Sequence, residues 1–236
     1  MIAKTRAIVL RNTNYSENSV ISKMYTREFG LRTYILQSIR KGKAAIRPSM
    51  IQPLSIVEMD VYEKSSSNIN RVKELKNTPL LINIQDSMIK KSVALFLVEI
   101  LNHCITEEQC EEELFDFLES QILNLEKLDP NSLFPITFLL SLSKYLGVEP
   151  QGHFSDQTSY FSIDEGIFKS EVGLNTSSTE VARLIDLVLN NSLKDAQKVH
   201  SVVRKETLNE LMKYYQFHIT KNKRIKSVEI LSELLS

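Results

Sequence analysis

Over the first 80 residues, short apolar, β-favouring runs broken by polar turn residues read as strands, and Leu54–Tyr62 alternates at the two-residue period of a half-buried one. Ala7–Leu10, Val20–Tyr25 and Arg32–Gln37 are short runs of β-favouring side chains separated by polar turn residues. Asn12, Asn14, Ser16 and Asn18 mark the first turn, and Gly30 sits where the second needs a residue that tolerates φ > 0. Gly42 to Pro48 reads as a basic connector. From Leu54 to Tyr62, Val57, Met59 and Val61 share one face while Glu58 and Asp60 share the other. A polar turn at 65–68 precedes a fifth run, Ile69 to Leu75. Five short strands in so little chain predict a small closed barrel, with the OB-fold as the five-stranded choice.

Near Thr78–Pro79 the period becomes helical. Ile89, Val93, Phe96, Leu97, Ile100, Leu101 and Cys104 form one stripe, which makes Cys104 a small core residue. A second helix spans Gln109 to Leu128, with its acids in the first turn or opposite Leu114, Leu118, Ile122 and Leu125. A third, Ser132 to Leu146, is apolar nearly all round and therefore central; Gly147 and Pro150 stop it. Tyr160–Ile163 and Ile167–Lys169 flank Asp164-Glu165-Gly166 as a hairpin. Ser177-x-x-Glu180 reads as a capping box opening a helix with Val181, Leu184, Ile185, Val188 and Leu189 inside, and further helices follow from Lys205 to Thr220 and from Val228 to Leu235. The expected fold is α+β: an OB barrel over 1–78, then a helical domain over 79–236 with a small hairpin region at 151–176.

Charge changes this picture. The 236 residues hold 29 basic and 29 acidic side chains, a total that argues against a polyanion partner. Residues 1–52 nonetheless carry ten Lys and Arg against Glu17 and Glu28, a net of +8, and residues 77–150 carry four Lys against twelve acids, a net of −8. Such asymmetry points to a polyanion-binding face on the barrel and a repelling face on the adjoining helices. Tyr15, Tyr25, Phe29 and Tyr34 are interleaved with Lys4, Arg6, Arg27, Arg32 and Arg40, the mix of stackers and cations that suits a single strand.

Enzyme chemistry finds little footing. His103, His153, His200 and His218 show no metal-ligand spacing, and Cys104 and Cys110 make neither a zinc knuckle nor a disulfide scaffold. Lys41-Gly42-Lys43 lacks the spacing of a phosphate loop, and no nucleophile elbow or dinucleotide fingerprint is present. No cofactor or metal is expected. No stretch is apolar enough for a membrane span and no leader opens the chain, so a cytoplasmic protein without membrane partners is expected.

Several segments, in order, resemble one known family. These are Lys4-Thr5-x-Ala7-Ile8-Val9-Leu10 with Tyr15-Ser16-Glu17-Asn18-Ser19, then Tyr25-Thr26-Arg27-Glu28-Phe29-Gly30-Leu31, Arg40-Lys41-Gly42-Lys43 and Met50-Ile51-Gln52-Pro53-Leu54. Phe138-Leu139-Leu140-x-Leu142-x-x-Tyr145-Leu146-Gly147-Val148-x-Pro150, Tyr214-Tyr215-x-x-His218 and Ile225-Lys226-Ser227-x-x-Ile230-Leu231 follow. Together they resemble the bacterial recombination mediator and DNA repair protein RecO family. The resemblance implies an OB domain, a helical domain and a non-enzymatic role: binding single- and double-stranded DNA, annealing complementary strands, and helping to load recombinase onto strands coated by single-strand-binding protein. It also implies two partners, RecR and the C-terminal tail of single-strand-binding protein. Many members carry a four-cysteine zinc site after the Leu-Gly-x-x-Pro segment, whereas residues 151–176 here have no cysteine. No structural zinc is therefore expected, and Phe154, Tyr160, Phe161, Ile163 and Phe168 should hold the hairpin.

On this basis the expected DNA contacts are Lys4, Arg6, Arg27, Arg32, Arg40, Lys41, Lys43 and Arg47 on the barrel, extended by Lys223 and Arg224. The alternative is an adaptor whose basic face meets acidic proteins and has no direct DNA role. A nuclease would need an acid cluster beside the basic segment, and none is visible there.

Overall fold

The alternating segments form five strands: β1 (Ile2–Ser16), β2 (Ser19–Thr26), β3 (Gly30–Gln37), β4 (Ile56–Tyr62) and β5 (Asn70–Asn77). They come from a computed structural model that describes residues 2–37, 39, 46–64, 67–106, 110–220, 225–228 and 231. The strands close a barrel in the order β1-β2-β3-β5-β4. β1 pairs antiparallel with both β2 and β4, while β3 meets β5 in parallel. This is the expected OB-like barrel. Its interior takes one side of each strand: Ala7, Val9, Val20, Met24, Tyr34, Leu36, Val57, Met59, Val61, Val72 and Leu75 are buried together. Gly30 opens β3 at φ 66°, the left-handed conformation that the β2–β3 turn requires.

Contacts divide the chain into two units, 1–129 and 130–236, so the first three helices belong with the barrel. These are α1 (Asn83–Asp86), α2 (Met88–Cys104) and α3 (Glu112–Lys127). Two outward positions of β1, Ile8 and Leu10, are buried, because α2 packs on this strand and Asn102 Nδ2 donates to the Leu10 carbonyl at 3.2 Å. Tyr25 on β2 is likewise buried. It meets Phe115 at a ring separation of 6.3 Å and donates its hydroxyl to the Glu111 carbonyl at 3.2 Å. Burial pushes its pKa up to about 12. α1 and α3 cap one another: the Glu126 carboxylate accepts the N–H groups of Ile82, Asn83 and Ile84 at 2.8–2.9 Å, and the buried Lys90 donates Nζ to the Glu126 carbonyl at 3.0 Å. The alternation of the first 78 residues ends at a change of secondary structure, and the packed unit runs on to 129.

The second unit contains α4 (Phe134–Tyr145), β6 (Tyr160–Ser162), β7 (Ile167–Lys169), α5 (Thr179–Leu189), α6 (Leu193–Ala196) and α7 (Ser201–His218). α4 is central, as its all-round apolarity requires: it packs on α5 and α7, and Tyr215 donates its hydroxyl to the Leu139 carbonyl at 2.6 Å. The β6–β7 hairpin is held by Phe161, whose ring lies 5.3 Å from Phe168 and 5.7 Å from Tyr214. Ile163 is buried with them, whereas Phe154 and Tyr160 are only half-buried. Asp164 accepts from Ser162 and Asn175 beside the turn, which holds its carboxyl below the usual carboxylate range. These rings, with Ser162, Asn175 and the single Asp164 carboxylate, do not fit a four-thiolate zinc site, and no three His, Cys, Asp or Glu side chains gather as metal ligands among the described residues.

One cap differs from the expected capping box. Ser178, not Ser177, caps α5, its hydroxyl accepting from Val181 N. Ser177 instead exchanges hydrogen bonds with the Phe161 backbone, an offer from a neighbouring strand that the local motif could not register. Of the last expected helix, Val228–Leu235, only Val228 and Leu231 fall among the described residues. No helix among the described residues is long and apolar enough to cross a membrane.

Candidate nucleic-acid interface

The outer face of β1, β2, β3 and β5 gathers cations that no acid among the described residues has taken. A bulge at Leu10 creates it. Val9 points inward opposite Met24, and strict alternation would turn Arg11 inward as well. The extra residue instead sets Arg11 opposite Lys23 on the outside. Two cross-strand rows result. One runs Arg11, Lys23, Thr33; the other runs Thr13, Ile21, Ile35, Arg71, Tyr62. Ile21, Lys23, Thr33 and Ile35 are half-buried, and Arg11 and Arg71 are exposed. Tyr15 at the end of β1 is 65% exposed and Tyr62 is 39% exposed. Arg11, Lys23 and Arg71 form no ion pair among the described residues.

The neighbouring face, between the first half of β1 and strands β4 and β5, has a different character. It forms an open cleft of about 430 Å³ lined by Lys4, Arg6, Lys76, Glu28, Glu58, Asp60 and Glu74, among others. Lys4 stands opposite Asp60 and Arg6 opposite Glu58, and Lys76 binds Glu58 at 2.6 Å, which lowers the Glu58 pKa. Among its lining side chains four acids face three cations, so its charges nearly balance.

Of the expected contacts, Arg6, Arg27 and Arg32 are already paired inside this unit. Glu112, Asp116 and Glu119 lie on one face of α3 at successive turns. Arg27 reaches Asp116 through two hydrogen bonds, at 2.9 and 3.1 Å, and Glu112 at 2.8 Å. Arg6 pairs with Glu119 and donates to the Thr78 carbonyl. The hydrogen bond from Arg27 holds the Asp116 carboxyl below its usual value. Glu119 goes the other way: burial raises it and Asp116 adds to the shift, against the pull of Arg6. Arg32 lies 3.5 Å from Glu63, which also receives the Tyr34 hydroxyl and the Asn70 amide. Lys4 and Arg47 are exposed, the latter just before the short helical turn Pro48–Ile51. Arg40, Lys41, Lys43, Lys223 and Arg224 lie outside the described residues.

The aromatics sort cleanly. Tyr34 fills the barrel, where burial and then Glu63 raise its pKa, and Tyr25 packs on α3. Phe29 packs on the barrel core, and Tyr15 alone of the four stands in solvent. The sequence places Arg11 and Lys23 in a basic segment without separating them from its other cations, and Arg71 lies in a charge-balanced stretch. Their grouping comes from strand pairing and the Leu10 bulge.

The comparisons with known proteins agree with this architecture. The family model for the recombination protein O N terminal matches residues 1–78, and that for the recombination protein O C terminal matches residues 85–227. Among named relatives, the DNA repair protein RecO of Flavobacterium johnsoniae is 34% identical over the full length of both chains. Its counterpart in Flavobacterium psychrophilum is also 34% identical over both full lengths. That of Azobacteroides pseudotrichonymphae is 31% identical over 98% of each.

Proposed function

This chain belongs to the RecO family of DNA repair proteins, and from that premise we propose that it is a non-enzymatic recombination mediator that binds DNA through its barrel and anneals complementary strands. The observation that carries the reading is the outer barrel face with Arg11, Lys23 and Arg71 in no ion pair among the described residues. Phosphates neutralise such cations and release counterions, so affinity comes from charge and falls with salt. Arg40, Lys41, Lys43 and Arg47 add charge in the same stretch of sequence, and Lys223 and Arg224 are proposed as further phosphate contacts. Recombinase loading and contacts with RecR and with the tail of single-strand-binding protein belong to the same proposal, supported by family membership.

The test is an annealing and binding assay with labelled complementary oligonucleotides. The full chain should accelerate annealing without magnesium, and log affinity for a single strand should fall with log salt by about 0.7 per cation engaged. A pure adaptor predicts protein pull-down with no retention on either DNA form. Retention below background at low salt overturns the DNA-binding reading.

A further inference from the structure

We propose that the acidic ridge of α3, formed by Glu112, Asp116 and Glu119, is an autoinhibitory contact: an internal polyanion that occupies Arg6 and Arg27 at one edge of the barrel and keeps external polyanions off them. The inference goes beyond the DNA-binding reading above, because it concerns an edge that the folded chain holds closed.

The ridge is separable from what seats the helix. α3 is held by its apolar face: Leu114, Phe115, Leu118, Ile122 and Leu125 are buried, and the Phe115 ring meets that of Tyr25. The acids lie on another face. The Glu112 and Asp116 side chains are 60% and 53% exposed where they meet Arg27, and an ion pair so placed adds little to stability. The deeper pair is imperfect. Arg6 meets Glu119, yet Arg6 Nε and Glu119 Oε1 are both buried without a hydrogen-bond partner among the described residues. A buried pair with such gaps is a poor stabiliser of a fold. What these contacts do well is cancel charge.

Their geometry is that of a bound polyanion. Steps of four and three residues set the three carboxylates about 6 and 4.5 Å apart along the helix axis, a line of negative charge with two arginines laid against it. The arginines are neighbours, since Arg27 N donates to the Arg6 carbonyl at 3.0 Å. Arg27 gives Nε and Nη2 to the two oxygens of Asp116 at 2.9 and 3.1 Å, and Nη1 to Glu112 at 2.8 Å. All three guanidinium nitrogens are engaged, in the forked manner by which arginine also holds phosphate. A polyanion reaches Arg27 only by displacing both carboxylates. An arginine neutralised in this way also has no counterion to release, so it adds nothing to a salt slope. By linkage, whatever neutralises the ridge raises polyanion affinity at this edge.

The test uses the full chain and two readings: the salt at which it leaves a heparin column, and the salt dependence of its affinity for labelled oligo(dT). Glu112→Gln/Asp116→Asn keeps the side-chain sizes and removes the charge facing Arg27. This variant should leave heparin at higher salt than wild type and steepen the log–log slope on oligo(dT) by about 0.7, the share of one cation. Adding Glu119→Gln should bring the gain to about 1.4 by freeing Arg6. Adding Arg27→Ala to the double variant should return both readings to wild type, which separates release of Arg27 from a mere change in net charge. Circular dichroism should show wild-type helix content, because the buried face of α3 is untouched. Should the double variant unfold, Glu112→Gln alone must show a smaller gain of the same sign. Unchanged elution and slope, or a gain that survives Arg27→Ala, overturns the proposal. A wild-type chain that ignores oligo(dT) overturns the DNA-binding reading instead, and the heparin comparison still decides this one.

Discussion

Among single residues, Glu126 shows how one carboxylate can hold two helices. Burial raises its pKa, but the three N–H groups it accepts at the start of α1 outweigh that and leave it below the usual carboxylate value. Because the folded value is depressed, its contribution is complete above about pH 4.3, the unfolded value, and is lost as pH falls through the lower folded one. Glu126→Ala should therefore cost about 1–2 kcal/mol at neutral pH. The difference from wild type should shrink in thermal melts near pH 3. Asp116 follows the same sign, since Arg27 depresses it, so Asp116→Asn should also lower Tm at pH 7 and converge with wild type in acid. Glu119, whose folded value is raised, binds its proton more tightly when folded; acid favours its folded form, so Glu119→Gln should not reproduce that pH profile.

At the level of elements, strand-like runs and helical period located the barrel strands and α2, α3, α4, α5 and α7; the short α6 went unread, and β1 runs to Ser16 through Asn12, Asn14 and Ser16, read from the sequence as a turn. That information is local: the faces of a strand differ in burial, and burial is written residue by residue. Registers are not written that way. The Leu10 bulge, which turns Arg11 outward, and the antiparallel closure of β1 on β4 depend on partners tens of residues away. The same holds for the α5 cap, where Ser177 was claimed by β6. The hairpin offers a test of packing between elements. Gly166 has φ 72°, and a Cβ there would stand 3.1 Å from the Tyr214 hydroxyl. Gly166→Ala should cost more than the roughly 1 kcal/mol of the left-handed backbone alone, because the Tyr214 ring, in contact with Phe161, must also give way. A urea titration measures it.

For the chain as a whole, the balanced charge resolves differently from a basic face opposed by a repelling one. Part of the acidic excess of residues 77–150 lies on α3 and is paired with Arg27 and Arg6 of the barrel. Among the described residues, Arg11, Lys23 and Arg71 on the outer face of β1, β2, β3 and β5 are in no ion pair. The sequence carried the asymmetry and the family resemblance; it could not say which arginines the acids would take. The residues around the β6–β7 hairpin give a further whole-chain prediction: elemental analysis of tag-free protein should show zinc far below one ion per chain, and a stoichiometric ion would refute the ring-packed account of that region. The seating of α3 on the barrel also bears on how fragments of this protein should be made. A truncation at residue 78, where the strands end, removes the cover from Ile8, Leu10 and Tyr25 and releases Arg6 and Arg27 at once. Such a fragment should be aggregation-prone and should bind a single strand with a salt slope steeper by about 1.4, through two arginines that are paired in the intact chain. Footprints taken on it would include an edge that the intact chain keeps paired; a fragment ending at residue 129, the end of the packed unit, keeps that edge closed.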